Sequence, residues 1–327
     1  MKKLIYIFLI LAVASAVVSC ERDLEIPLPE HQSKLVINAY LYAGMPVDIY
    51  VTRSYGIIEN VEIKDILVEN ARVEILEGDK VLDTLAYRDT TIQDPFGVAK
   101  TIKLGKYYSE TVKPEAGKSY TVRVSHPTYG TATATTVIPR QISVLDTKIE
   151  QDVYVSQNTD FDGQVYVYSQ SLIKVKVEDP AGEKNFYNFE VGIDFELPSY
   201  PGVPFYGDLY TTNNVYRNPG EGYTGDKKPF VDDSFDGTIK TLEMATDLPN
   251  NYQLLSERQP LEIKKIYVKA IAVNEDYYRF KSKFDLQQLN RDTDDFGIVP
   301  VEAIIIYSNV EGGFGIVAGF NESTFEF

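Results

Sequence analysis

Apolar and polar positions alternate with a period of two along most of this chain. Val47, Ile49 and Val51 alternate with polar neighbours, and the segment from Tyr187 to Glu196 shows the longest regular alternation. This period is that of a strand with one buried face. The pattern therefore predicts a mostly β protein.

The first set of strands spans residues 34–139 and ends at a proline. About seven short strands in about a hundred residues is the count of an immunoglobulin-like sandwich. Pro114 and Gly117 form a turn before Tyr120, which begins an alternating strand. This order predicts the corner of such a sandwich, where a tyrosine hydroxyl bonds to upstream backbone. We expect an immunoglobulin/fibronectin III-like β-sandwich here.

Residues 140–327 predict a larger β-sandwich with one or two helices. One helix is expected from Leu242 to Ser256, broken at Pro249, and a second from Asn274 to Leu289. Asn274 is a suitable N-cap, and acidic residues follow in the first turn. The Gly312–Gly315 stretch lacks the lysine and helix of a phosphate loop. We expect there a turn or bulge between two strands, with positive φ or close backbone approach.

A long insertion, residues 198–237, interrupts the second sandwich. It contains five prolines, six glycines and eight aromatic residues. Loops longer than about 15 residues are usually functional or disordered, and disordered segments are poor in aromatics. Two interpretations stay open: a docking loop, or an insertion folded over its own sandwich.

The N-terminus predicts export and lipidation. Residues 1–19 contain two lysines and then an apolar run that is shorter than the roughly 20 residues of a spanning helix, as in a signal peptide. Val17, Val18 and Ser19 precede Cys20, the only cysteine, in the form of a bacterial lipobox. Lipid on Cys20 would anchor the chain stably, since at least two acyl chains are attached. Residues 20–33 would then be a lipidated tether.

Composition narrows the classes of partner. The net charge is −16 and becomes −18 when Lys2 and Lys3 leave with the signal peptide. Such a charge argues against nucleic acid and against electrostatic adsorption to an anionic bilayer. A single cysteine excludes a disulfide within the chain, so stability must come from packed cores.

Candidate catalytic and metal-binding chemistry is sparse. His31 lies in the tether and His126 in a loop before a proline, so neither predicts a catalytic triad. Asn158–Gly163 resembles the first half of a calcium loop, but the twelfth position is Ser169 instead of glutamate. The acidic groups at 232–236 and 292–295 are vaguer still. We assign no catalytic, cofactor-binding or metal-binding residue, and only Cys20 as a site of modification.

Several segments together resemble one family, the Bacteroidota lipoproteins that carry the domain of unknown function 4249. The segments are the lipobox, Leu35–Asn38, Pro114–Gly130, Tyr277–Phe280 and Tyr307–Phe320. The resemblance implies an outer-membrane lipoprotein encoded beside a TonB-dependent receptor. It implies no catalytic or binding residues.

These observations predict a non-enzymatic accessory or binding component of nutrient uptake, lipid-anchored through Cys20 to the outer membrane. Its partners would be a TonB-dependent receptor and a small-molecule or glycan ligand, and no cofactor is expected. The membrane face, cell surface or periplasm, stays open. Two alternatives also stay open: a glycan- or peptide-processing enzyme that uses paired carboxylates, and an adhesin or structural surface module.

Overall fold

The computed structural model describes residues 31–56, 59–93, 101–196, 205–208, 229–246, 252–256, 258, 262–294 and 304–327, and most of these are in β-strands. Residues Ser33–Phe327 belong to one compact unit. The strands are β1 (Leu35–Tyr42), β2 (Val47–Arg53), β3 (Arg72–Glu77), β4 (Lys80–Gln93), β5 (Thr101–Ser109), β6 (Ser119–His126), β7 (Gly130–Val137), β8 (Ser143–Thr159), β9 (Val165–Glu178), β10 (Phe186–Glu196), β11 (Phe205–Asp208), β12 (Phe230–Val231), β13 (Ile239–Thr246), β14 (Tyr252–Leu254), β15 (Glu262–Val273) and β16 (Phe314–Glu326). The helices among the described residues are α1 (Ile63–Ile66) and α2 (Glu275–Asp294).

The strands form two sheets in the described part of the chain. The larger sheet has twelve strands, in the order β11-β10-β15-β16-β1-β2-β5-β4-β3-β6-β7 with β12 beside β10. The smaller sheet has four, in the order β13-β9-β14 with β8 also paired to β9. Strand β16 lies parallel to β1 and antiparallel to β15. The end of the chain therefore joins the strands of its first half to those of its second half.

The first core confirms the predicted sandwich. Strand β4 pairs with β3 through its first half and with β5 through its second, so it passes from one layer to the other. Between the layers lie apolar residues of both, including Ile37, Ile49, Ile75 and Val122, all fully buried. Tyr120 is buried, and its hydroxyl accepts the upstream backbone N–H of Glu115 at 2.9 Å. The predicted tyrosine corner is confirmed.

A second core lies between the other half of the large sheet and the small sheet. Tyr187 and Phe189 of β10 and Val268 of β15 pack with Ile173 of β9 and Leu242 of β13. The first core draws mainly on residues 35–138 and the second on residues 142–325. Val310 and Val317 nevertheless join the first core from the C-terminal segment. A division into two domains near Pro139 stays a prediction.

Helix α2 covers the outer face of the large sheet at β16 and β15. Asn274 caps it as predicted, since the N–H of Tyr277 donates to Asn274 Oδ1 at 3.2 Å. Tyr277 and Phe280 pack on a buried cluster that includes Ile316 and Phe320. Strands β1, β2 and β5 continue this face of the sheet beside the helix, and the candidate site lies there.

Two sequence predictions of local structure are wrong. Residues 239–246, within which the helix was predicted to begin, form strand β13, and 252–254 form β14. Leu242 and Met244 are fully buried and alternate with Glu243, so packing against β9 overrides the helical propensity of these residues. Residues 304–310 form no strand before the glycine-rich stretch. In place of strand pairing, the side chain of Asn309 donates a hydrogen bond to Val317 O and accepts one from Val317 N.

Candidate functional site: a groove lined by tyrosines

A groove crosses the outer face of the large sheet over β1, β2 and β5. Alternation creates it, because inward residues of these strands fill the first core while their neighbours point outward. Its volume is about 420 Å³, within the range of roughly 300–1,000 Å³ of small-molecule sites. We call it the tyrosine groove. It is lined by Asn38, Tyr40, Tyr42, Met45, Pro46, Asp48, Tyr50 and Tyr108.

Aromatic and thioether side chains give the tyrosine groove its accessible surface. Tyr40 is 41% exposed, Tyr50 37% and Met45 46%. Tyr40 meets Tyr277 of helix α2 edge-on, with ring centroids 5.7 Å apart, and it also contacts Phe320. Partial burial, followed by the nearby Tyr42, raises the pKa of Tyr40. Its hydroxyl therefore stays protonated near neutral pH, on a ring held by two other rings.

An ion pair lies among these rings. Lys106 of β5 donates from Nζ to Asp48 Oδ2 at 2.7 Å, and this hydrogen bond raises the pKa of Lys106. The other carboxylate oxygen, Asp48 Oδ1, is buried and accepts no hydrogen bond from any described residue. The Arg88 guanidinium lies 4.3 Å from the ring centroid of Tyr108. The groove thus combines aromatic faces with one oriented acceptor.

A separate cluster of carboxylates lies at the edge of the second core. One oxygen from each of Asp179, Asp232 and Asp236 lies within 4.8 Å of the others. Burial raises the pKa of Asp232, and the Asp179 carboxylate raises it further, against the opposing effect of the Asn185 backbone N–H. Three converging carboxylates are ligands that a hard cation such as Ca²⁺ accepts.

Each member of this cluster also has a structural partner. Asp179 accepts the N–H of Gly237, Asp232 that of Asn185 and Asp236 that of Gly182, each at 2.8 Å. The Tyr187 hydroxyl donates to Asp179 as well. These bonds tie the loop between β9 and β10 to the end of the 198–237 insertion. These hydrogen bonds account for the positions of the three aspartates without requiring a bound ligand.

The structure accounts for most of the sites considered from the sequence. Asp160 of the calcium-like loop accepts the N–H groups of Asp162 and Gln164, and so forms the turn between β8 and β9. His126 stacks on Tyr129, and one ring nitrogen accepts the Thr128 N–H. These residues stabilise turns.

Other predictions fall partly or wholly outside the described residues. Cys20 lies outside them, as does most of the 198–237 insertion. Of the insertion, β11 and β12 pair with β10, and Phe235 is buried against Tyr187. Strands β11 and β12 therefore extend the edge of the large sheet beside β10. The described remainder of the chain has no helix with the length and apolar character to cross a membrane.

Sequence reasoning missed the tyrosine groove. Its members come from three strands and the turn between β1 and β2, and Tyr108 lies opposite Asp48 only because β5 pairs with β2. The alternation of apolar and polar positions indicates that Tyr40 and Tyr50 point outward. Nothing in the sequence showed which outward residues would become neighbours.

Comparison with known proteins yields one match. The family model described as "Domain of unknown function (DUF4249)" matches residues 21–326. No curated protein matches the chain, and no solved structure matches it.

Proposed function

The chain belongs to the DUF4249 family, and from that premise we propose that it is a non-enzymatic, lipid-anchored binding protein of the outer membrane. In this proposal Cys20 carries the lipid, and the protein works beside a TonB-dependent receptor in nutrient uptake. The tyrosine groove is the observation that carries the proposal. It would hold the nutrient that the receptor takes up.

The groove supports a binding function because it is accessible and preorganised. Strand β1 is paired on both sides, as are β2 and β5, so the floor is fixed by two ladders per strand. Tyr40 is packed against helix α2, which restricts its ring before any ligand arrives. Little binding free energy is then spent on ordering the protein when a ligand binds.

A second surface supports a protein partner. The hairpin of β8 and β9 exposes apolar side chains along its outer part, Val153, Tyr154 and Val155, and ends at the fully exposed Phe161. Monomeric proteins rarely expose apolar residues together without an interaction to cover them. We assign this hairpin to the receptor contact.

Affinity capture of the lipidated protein from native membranes tests the proposal. The wild-type protein should bring down a TonB-dependent receptor, and a Phe161→Ser variant should bring down less. Cys20→Ser should leave the membrane fraction, because the lipid is lost. A Tyr50→Ala variant should still capture the receptor, since the groove is assigned to the nutrient.

Growth on defined nutrients supplies the second test. A deletion strain should grow poorly on at least one nutrient, and wild-type protein should restore growth better than Tyr50→Ala. Capture of the protein alone, together with normal growth of the deletion strain, would refute the proposal. Hydrolysis of a glycan or peptide by the purified protein would favour the enzyme alternative, and loss of surface attachment on deletion would favour the adhesin.

A further inference from the structure

We propose that the tyrosine groove binds a saccharide, with a sugar ring against Tyr40 and Tyr50 and a hydroxyl donating to the Asp48 carboxylate at Oδ2. The inference rests on the proposed function, because it names the chemical class of the nutrient.

The tyrosines supply the stacking surface. A pyranose ring carries C–H groups on one face, and these pack against aromatic rings, whereas its hydroxyls point outward in the ring plane. Tyr40 and Tyr50 expose part of each ring at the groove, and Met45 adds a flexible apolar edge. Tyrosine also keeps a hydroxyl for hydrogen bonds at the rim.

Asp48 supplies the polar recognition. Its Oδ2 accepts a hydrogen bond from Lys106 Nζ at 2.7 Å, and the side chain remains 38% exposed in the groove although Oδ1 is buried. An ionised carboxylate oxygen has more than one lone pair, so Oδ2 can accept a ligand hydroxyl in addition to the ammonium of Lys106. Because Lys106 already balances the charge, a neutral donor suits the acceptor better than a cation does.

Asn38 adds an amide to the groove. It lies opposite Tyr50 in the pairing of β1 with β2, and it lines the groove. An amide offers one acceptor and two donor hydrogens. It can therefore donate a hydrogen bond to a ligand hydroxyl or accept one from it, as recognition of a polyol requires.

The backbone of the groove excludes a peptide bound by strand addition. Such a peptide needs the unpaired N–H and C=O groups of a sheet edge. Strand β1 is paired to β16 and β2, and strand β2 to β1 and β5. Recognition in the groove must come from side chains, and the side chains present are aromatic faces, an amide and a carboxylate.

The test uses the full lipidated protein, purified in a detergent without a sugar head group, on an array of oligosaccharides of varied composition and linkage. Titration calorimetry then measures the strongest arrayed sugar. Asp48→Asn and Tyr50→Ala should each weaken binding roughly tenfold, which corresponds to about 1.4 kcal/mol. Tyr55→Ala is the matched control, because Tyr55 is 50% exposed but lies outside the groove. Its affinity should equal that of the wild type.

The outcomes separate this inference from the proposed function. The saccharide assignment is overturned if no arrayed sugar binds, or if binding survives both groove variants. It is also overturned if the groove binds a peptide digest or a flat aromatic ligand such as haemin with the same sensitivity to Tyr50→Ala, and in that case the proposed function stands. Sugar binding without receptor capture or a growth defect would refute the proposed function alone. Melting curves of each variant verify that it is folded.

Discussion

Replacing Gly312 by alanine tests why the C-terminal segment is rich in glycine. Gly312 has φ +75°, and a Cβ there would lie 2.4 Å from the carbonyl oxygen of Thr131 on β7. Gly117 has φ +80°, and a Cβ there would meet nothing within 4 Å. The two glycines therefore share the conformational requirement and differ in the contact. Gly117→Ala is the matched control for the cost of a left-handed residue.

The magnitudes follow from these contacts. The left-handed conformation costs an alanine roughly 1–2 kcal/mol at either position. At Gly312 the β7 backbone must also move away, and overpacking of this kind costs about 1–3 kcal/mol. The movement strains the two hydrogen bonds between Glu311 and Thr133, of 2.8 and 2.9 Å, each contributing about 0.5–1.5 kcal/mol. We expect Gly312→Ala to lose about 3 kcal/mol more than Gly117→Ala.

Thermal unfolding followed by circular dichroism measures the difference, with urea midpoints as a second measure. At roughly 2–4 °C per kcal/mol for a chain of this size class, Gly312→Ala should melt about 6–12 °C below Gly117→Ala. Melting temperatures within about 2 °C of each other would refute the reasoning, since the close approach would then carry no cost.

Three further substitutions test other parts of the fold. Glu74 is buried between two arginines whose hydrogen bonds lower its pKa, so its contribution to stability is present above about pH 4.5 and is lost as the pH falls. Glu74→Gln should therefore reduce the drop in melting temperature between neutral pH and pH 3, and an unchanged drop would contradict the assignment. Tyr187→Phe removes a hydroxyl donor from the buried Asp179, and urea unfolding should show a loss of about 1–3 kcal/mol; a wild-type midpoint would contradict this. Leu242→Ala should cost about 2–5 kcal/mol, whereas the exposed neighbour Thr241→Ala should cost less than about 0.5 kcal/mol. Similar losses at both positions would argue against a strand with one buried face.

The local features that the sequence predicted well are those whose determinants lie close together in the chain. The corner at Tyr120 needs a partner only five residues upstream, and the cap at Asn274 acts on the next turn. The wrong helix at Leu242–Ser256 shows the opposite case. Its residues favour a helix locally, but β9 offers a partner strand about seventy residues earlier in the chain.

The glycine-rich stretch was predicted only in part from the sequence. The expectation of positive φ or close backbone approach is confirmed, since Gly312 and Gly315 both have positive φ and Gly315 would place a Cβ 2.0 Å from the carbonyl oxygen of Ile37. The sequence did not indicate which backbone segment lies close to these glycines. The answer depends on β16 lying parallel to β1, a pairing between the two ends of the described chain.

By itself, the sequence determined the mostly β architecture, about seven strands in the first sandwich and the buried side of the strands that it predicted, because alternation of side chains is a local property of an extended chain. Only the tertiary structure decided which outward residues meet. Tyr40, Tyr50 and Tyr108 form a groove because strand pairing places three separate segments side by side. Asp179 meets Asp232 because a loop and an insertion fold onto one edge. Such neighbours are set by register and topology, which depend on the packing of the whole chain.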